Sequence, residues 1–331
     1  MLINGESYVP MLIVAQQVEP ADVITMSFSS KIAMPILSEA KYKQLRYGLK
    51  CHEDMAAVFV ELEGQRECQW LFQADSDVIN NQPIPAWESM VEFYGVRVLA
   101  KRHISQEFET VVLTAVQTPE VLQTARVFLH YVKNLFSFEN HHLELEMNLS
   151  SESRLRELMS WQELKSCEKV ALKFENMDHE MFEYFLRKFG SIRHLTMDVK
   201  RKDTYFKLDE RIFITAKEAW FENAEWFSLN TLGTATCQSL TLVKPLFGNE
   251  HIVNFLLNWF LHNNNGVQHL VIKKARLENF EIRDRVRPFI GTPSRDTIST
   301  NGDTTVIQTR NRAGNRATIT FGQDFIFHAE Q

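Results

Sequence analysis

Apolar and polar residues alternate in short runs that recur through the C-terminal two thirds of the chain. The clearest example is residues 238–274, QSLTLVKPLFGNEHIVNFLLNWFLHNNNGVQHLVIKK, whose pattern predicts a strand, a helix and a second strand. Leu240 and Leu242 alternate with Ser239, Thr241 and Val243, the period of a strand with one buried face. Ile252, Val253, Leu256, Leu257 and Phe260 recur at helical spacing and make one wide apolar stripe. Asn249 is placed to cap this helix by accepting from the free N–H groups of its first turn, and Gly266 to end it in the left-handed conformation. Val267, Leu270 and Ile272 supply the second strand. A unit of this kind cannot bury its own stripe and needs neighbours built the same way.

Such neighbours are present. Strands are predicted at residues 143–149, 170–174 and 195–199, and a helix after Asp178 presents Phe182, Phe185, Leu186 and Phe189 before Gly190. A longer interval, from Leu195 to Leu240, carries the run RIFITAKEAWF. The strands recur about every 25 to 30 residues, an irregular α/β repeat of leucine-rich type that lacks the strict asparagine-bearing consensus. Residues 118–136 predict a strong helix that opens this region, with Thr118 as its cap and Pro119 at its first position. Its buried face is Val121, Leu122, Ala125, Phe128, Leu129, Val132 and Phe136.

Upstream the grammar changes. AVFVELE and RECQWLF flank Gly64-Gln65, a hairpin signal, and FYGVRVLAKR and FETVVLTAV add strands beyond a polar turn at residues 80–85. Residues 8–51 read as a small helical module. Pro10 opens a helix with Leu12, Ile13 and Val14, Pro20 opens another with Val23, Ile24 and Met26, and residues 41–50 end the module with charge. At the far end, residues 292–303 are expected as an exposed loop, followed by the short antiparallel strands TTVIQT, ATITF and FIFHA, which cap the repeat. The expected fold class is therefore α/β. It comprises a helical module at 8–51, a bridging β-rich segment at 52–117, and a solenoid-like, leucine-rich-repeat-like domain with a β-rich cap at 118–331.

Composition narrows the function. A chain of 331 residues with 44% hydrophobic residues and 24 Phe fills a large core; chains of this size bury roughly 75% of their unfolded surface and need no disulfide or metal. Cys51, Cys68, Cys167 and Cys237 are scattered without a C-x-x-C pair, which argues against zinc and for a reducing compartment. The net charge of −6 and short basic clusters near Lys200 and at residues 283–295 do not suit a nucleic-acid surface. No apolar run approaches a membrane span and the N-terminus lacks a basic leader, so the cytoplasm or nucleus is expected.

Catalytic motifs are missing: the chain has no G-x-S-x-G, phosphate-binding loop, dinucleotide fingerprint or H-E-x-x-H. His141-His142, His179-Glu180, Glu144 and Glu146 read as solvated or capping side chains, and Trp220, Trp226 and Trp259 as core. No enzyme activity, cofactor or metal is expected.

Two stretches carry a resemblance. The order proline, apolar helix, Glu19-Pro20-x-Asp22, apolar helix, Ser27-Phe28-x-Ser30-Lys31 resembles the F-box, the helical motif that docks on a Skp-type adaptor of a cullin ubiquitin ligase. The C-terminal two thirds look like the F-box-associated region of the large nematode F-box family. The match runs through HYVKNLF, RIFITAKEAW, the helix bearing Asn254, Phe255, Leu256 and Trp259, and the element Arg312, Gly314, Ala317, Thr318, Ile319. The resemblance implies a substrate-recruiting adaptor. Pro10, Leu12, Val14, Val18, Pro20, Val23, Ile24 and Phe28 would contact the Skp-type adaptor within the cullin complex, and some of them would form the module's own core. The repeat domain would hold an unknown target protein, with Lys173, Glu175, Arg193, Lys273 and Lys274 as exposed candidates. Val9 in place of the family's usual leucine, Pro35 within a helix, and the missing basic pair after Ser30-Lys31 motivate an alternative: an interaction scaffold outside the ligase system, with a degenerate F-box.

Overall fold

In a computed structural model the protein is a mixed α/β chain that divides into two compact units, one of residues 1–149 with 161–168 and one of residues 150–160 with 169–331. The structure describes residues 22–24, 27, 41–42, 45–62, 67–73, 87–94, 96–104, 111–118, 120–138, 141–201, 208–209, 211–262, 266–275, 277–289, 297–301 and 304–330.

The first unit contains β1 (Lys41–Tyr42), β2 (Leu45–Cys51), β3 (Met55–Leu62), β4 (Glu67–Gln73), β5 (Trp87–Phe93), β6 (Val96–Ile104), β7 (Val111–Gln117), helix α1 (Val121–Leu135), β8 (Ser137–Phe138) and β9 (His141–Leu149). Its main sheet runs β9-β2-β3-β4-β7-β6-β5. β3 and β4 pair antiparallel, as the hairpin signal at Gly64-Gln65 requires, while the turn itself lies outside the described residues. β1 and β8 form a separate parallel pair.

Two expectations change here. Residues 45–51, expected to end a helical module, are a strand. Tyr47, Leu49 and Cys51 point inward, alternating with Arg46, Gly48 and Lys50, and this period-two pattern pairs antiparallel with β3 and parallel with β9. Helix α1, expected to open the repeat domain, belongs to the first unit. Its Phe128 ring lies 5.2 Å from Trp70 and 5.4 Å from Phe72, so the helix stripe is buried on β4. The buried face matches the helical spacing, but the N-cap is Glu120 rather than Thr118. The Thr118 hydroxyl instead pairs with Thr124 at 2.7 Å.

The second unit contains α2 (Glu152–Ser160), β10 (Cys167–Met177, all but its first two residues), α3 (His179–Phe189), β11 (His194–Arg201), β12 (Glu218–Phe221), α4 (Leu229–Thr234), β13 (Ser239–Val243), α5 (Asn249–His262), β14 (His269–Lys273), α6 (Asn279–Val286), β15 (Thr297–Asn301), β16 (Thr304–Arg310), β17 (Arg316–Phe321) and β18 (Phe325–Ala329). Strands β10 to β14 pair parallel in chain order, and the antiparallel run β18-β17-β16-β15 continues the sheet from β14. The predicted strands at 143–149, 170–174, 195–199, 239–243 and around 270 all appear, as do the three capping strands. β12 occupies the long interval before Leu240. Part of the expected loop at 292–303 is instead the strand β15, whose Thr297, Ile298 and Thr300 are β-branched.

Capping chemistry explains where the helices start. Asp178 Oδ1 accepts from the Met181 N–H at 2.7 Å, and Ser228 Oγ accepts from the Thr231 N–H at 3.1 Å. Asn249 behaves differently from its expected role. It is the first residue of α5, and its Oδ1 accepts from the Glu278 N–H at 2.8 Å, so it ties the start of α6 rather than capping its own helix. Gly266 does not take the left-handed conformation. A Cβ there would meet the Ala235 carbonyl oxygen at 2.6 Å, so close backbone approach is what requires glycine. Gly314, at φ +89, supplies the left-handed turn between β16 and β17.

Several residues of the F-box-associated resemblance lie in the core. Phe255, Leu256 and Trp259 are buried, and both aromatic rings meet Phe327 of β18 edge-on at 5.1 and 5.4 Å. Arg312 donates its N–H to the Phe260 carbonyl at 3.1 Å, and Ala317 and Ile319 are buried on β17. All four cysteines are buried.

Candidate functional site: the open face of the second-unit sheet

Alternation sorts the parallel strands into two faces. Val170, Leu172 and Phe174 of β10, Leu195, Met197 and Val199 of β11, Ala219 and Phe221 of β12, Leu240 and Leu242 of β13, and Leu270 and Ile272 of β14 are all buried. An aromatic cluster lies at the β12 part of this core, with Trp226 edge-on to Phe182 at 4.8 Å and to Phe221 at 5.2 Å.

The opposite face carries two rows set by the strand register. One runs Lys169, His194, Glu218, Ser239, His269, His328; the next runs Ala171, Thr196, Trp220, Thr241, Val271, Ile326. Trp220 is its largest apolar feature and remains 37% exposed. Its Nε1 donates to Glu222 Oε2 at 3.0 Å, and Lys273 Nζ stands 4.6 Å from the ring centroid. The polar groups around it are matched locally. Lys200 pairs with Glu175 at 2.8 Å, the Asn223 amide donates to Asp198 at 2.6 Å, and His194 Nδ1 lies 3.1 Å from Glu218. The result is a fixed, part-exposed aromatic plate with paired polar groups beside it. Among the described residues no group of three or more His, Cys, Asp or Glu is placed to hold a metal, and no helix is long and apolar enough to cross a membrane.

Of the residues expected to touch a Skp-type adaptor, Pro10, Leu12, Val14, Val18, Pro20 and Phe28 lie outside the described residues. Val23 and Ile24 lie in a helical turn and have no exposed surface. Ser27 holds this turn, donating to the Ile24 carbonyl and bonding the Tyr131 hydroxyl of α1, both at 2.6 Å. Burial raises the Tyr131 phenol above its ordinary value, against the opposing hydrogen bond from Ser27.

Among the exposed target-side candidates, Lys173, Glu175 and Lys273 fall on the open face, while Arg193 and Lys274 flank β11 and β14. His142, expected to be solvated, lies within β9 and its Nδ1 is 2.7 Å from Glu168. Trp226 and Trp259 are core, as expected, but Trp220 is not. The signal that places it outside is the period-two run Ala219-Trp220-Phe221, in which the smaller Ala219 and Phe221 take the two inward positions.

No family model matches the chain, and no curated protein or solved structure was found to match it.

Proposed function

We propose that the chain is a substrate-recruiting adaptor of a Skp/cullin/F-box ubiquitin ligase, with an F-box-like N-terminal segment for the Skp-type protein and the open face of the second unit for the target. The observation that supports the binding role is Trp220, held in place by Glu222 and Lys273 and still 37% exposed. Aromatic anchors of this kind carry a large share of interface free energy, about 2 kcal/mol or more each. Five parallel strands in chain order support the leucine-rich-repeat-like classification of β10 to β14.

A second reading is favoured by the complete burial of Val23 and Ile24, which makes two of the eight expected adaptor contacts interior residues. In that reading the protein is an interaction scaffold whose F-box-like segment is structural. Co-expression with a Skp-type adaptor followed by gel filtration separates the two. Leu12→Asp with Val14→Asp is the control, because aspartate at Val23 or Ile24 would break the interior itself. Co-elution that this double variant abolishes supports the ligase adaptor; a folded, monodisperse chain that ignores the adaptor leaves only the scaffold.

A further inference from the structure

The open face brings together two histidines that are far apart in the chain. His269 on β14 and His328 on β18 are direct cross-strand partners, and their ring centroids are 5.4 Å apart. We infer that His269 and His328 form a two-histidine site for a divalent transition-metal cation, one that clips the last parallel strand to the C-terminal strand.

Two observations carry this. The first is spacing. With metal–nitrogen bonds of about 2.0 to 2.1 Å, two imidazoles sharing a tetrahedral ion place their centroids roughly 5 Å apart, which is the separation found. The second is an unmet demand. His269 Nδ1 is enclosed from water and finds no hydrogen-bond partner among the described residues. A bound cation would give this buried nitrogen the partner that buried polar atoms ordinarily have.

Imidazole donors suit zinc, nickel and copper rather than magnesium or calcium. Two protein ligands leave the remaining positions to water or to a side chain of a bound partner. His328 is exposed, so the site is open on one side. The inference stands on the strand register and is independent of the ligase reading.

The test is calorimetric titration of the full chain with zinc chloride, alongside thermal unfolding with and without the ion. The expected result is saturable binding and a transition that rises with zinc concentration, since the ion binds the folded chain. Binding should weaken about tenfold or more in His269→Gln and in His328→Gln, and stay unchanged in His194→Gln. If His269→Gln fails to fold, the exposed His328→Gln decides alone. Absence of zinc binding, or binding that His328→Gln leaves intact, overturns the site.

Discussion

The two units each present a solvent-facing sheet surface, and the two surfaces are finished in opposite ways. On β2, β3, β4 and β9 the exposed side is closed by charge. Arg46 lies 2.9 Å from Glu61, 3.2 Å from Glu67 and 3.6 Å from Glu144, and Lys50 lies 2.8 Å from Glu67. Phe59 sits beneath them at 2% exposure, with the Arg46 and Lys50 cations 5.7 and 4.9 Å from its ring. On the second unit's face Lys200 pairs with Glu175 and His194 with Glu218, and Trp220 is left accessible. An ion-pair lattice over an aromatic ring consumes the features that a partner would recognise, whereas a part-exposed aromatic presents them. The difference supports the second face as the proposed binding surface, while the first is closed by its own ion pairs.

The hardest test of this contrast strikes the closed face at its tightest point. A Cβ on Gly48 would meet the Glu144 carbonyl oxygen at 2.1 Å and the Phe59 ring at 2.7 Å. Gly48→Ala should therefore lower stability by about 3 kcal/mol, read as a reduced urea midpoint at constant slope. An unchanged midpoint would show that the face is looser than its contacts indicate.

A smaller effect is expected at the helix that covers the buried side of the second sheet. Asp178→Ala removes the cap on α3 and should cost about 1 kcal/mol, with Asp178→Ser recovering most of it. Equal stability of all three chains would sink the capping assignment.

The lattice on the first face also predicts a pH dependence. Burial pushes the Glu67 carboxyl up, but hydrogen bonds from Lys50 and Gln69, with the charges of Lys50 and Arg46, outweigh it and hold the group below its ordinary value. The folded state then binds this proton less readily than the unfolded chain. The stabilisation is fully present above the ordinary glutamate value and fades as pH falls through the lower folded value. Glu67→Gln should flatten the acid limb of the stability profile; an identical acid limb in both chains would contradict the network.

The smallest stability change belongs to the open face. Trp220→Ala should stay within about 0.5 kcal/mol of the parent in denaturant, because the ring is part-exposed and no core residue rests on its indole nitrogen. A loss of several kcal/mol would make Trp220 a structural residue and remove the basis for the contrast.

Local order was largely legible along the chain. Asp178 as a cap, the stripe through Phe182, Phe185, Leu186 and Phe189, and the alternation of β13 and β14 depend on neighbours within a few residues, which the chain states directly. The open face was also within reach, since the alternation through Ala219 and Phe221 already turns Trp220 outward. Asn249 was harder, because its partner Glu278 stands at the start of a different helix. Leu45–Cys51 shows the same limit. Its charged residues read as a module end until β3 and β9 supply the pairing that makes them the outer side of a strand.

By itself, then, the chain determined the α/β class, the recurring strand–helix grammar, the antiparallel strands at the C-terminal end, and most inward-facing positions, all properties of period and propensity. Tertiary structure alone decided that α1 packs in the first unit, that Val23 and Ile24 are interior, that Gly266 answers to the Ala235 carbonyl, and that His269 meets His328. The physical reason is one of range. Periodicity reports which side of an element is apolar, but which groups meet across a sheet follows from strand register, and register is set by packing between segments far apart in the chain.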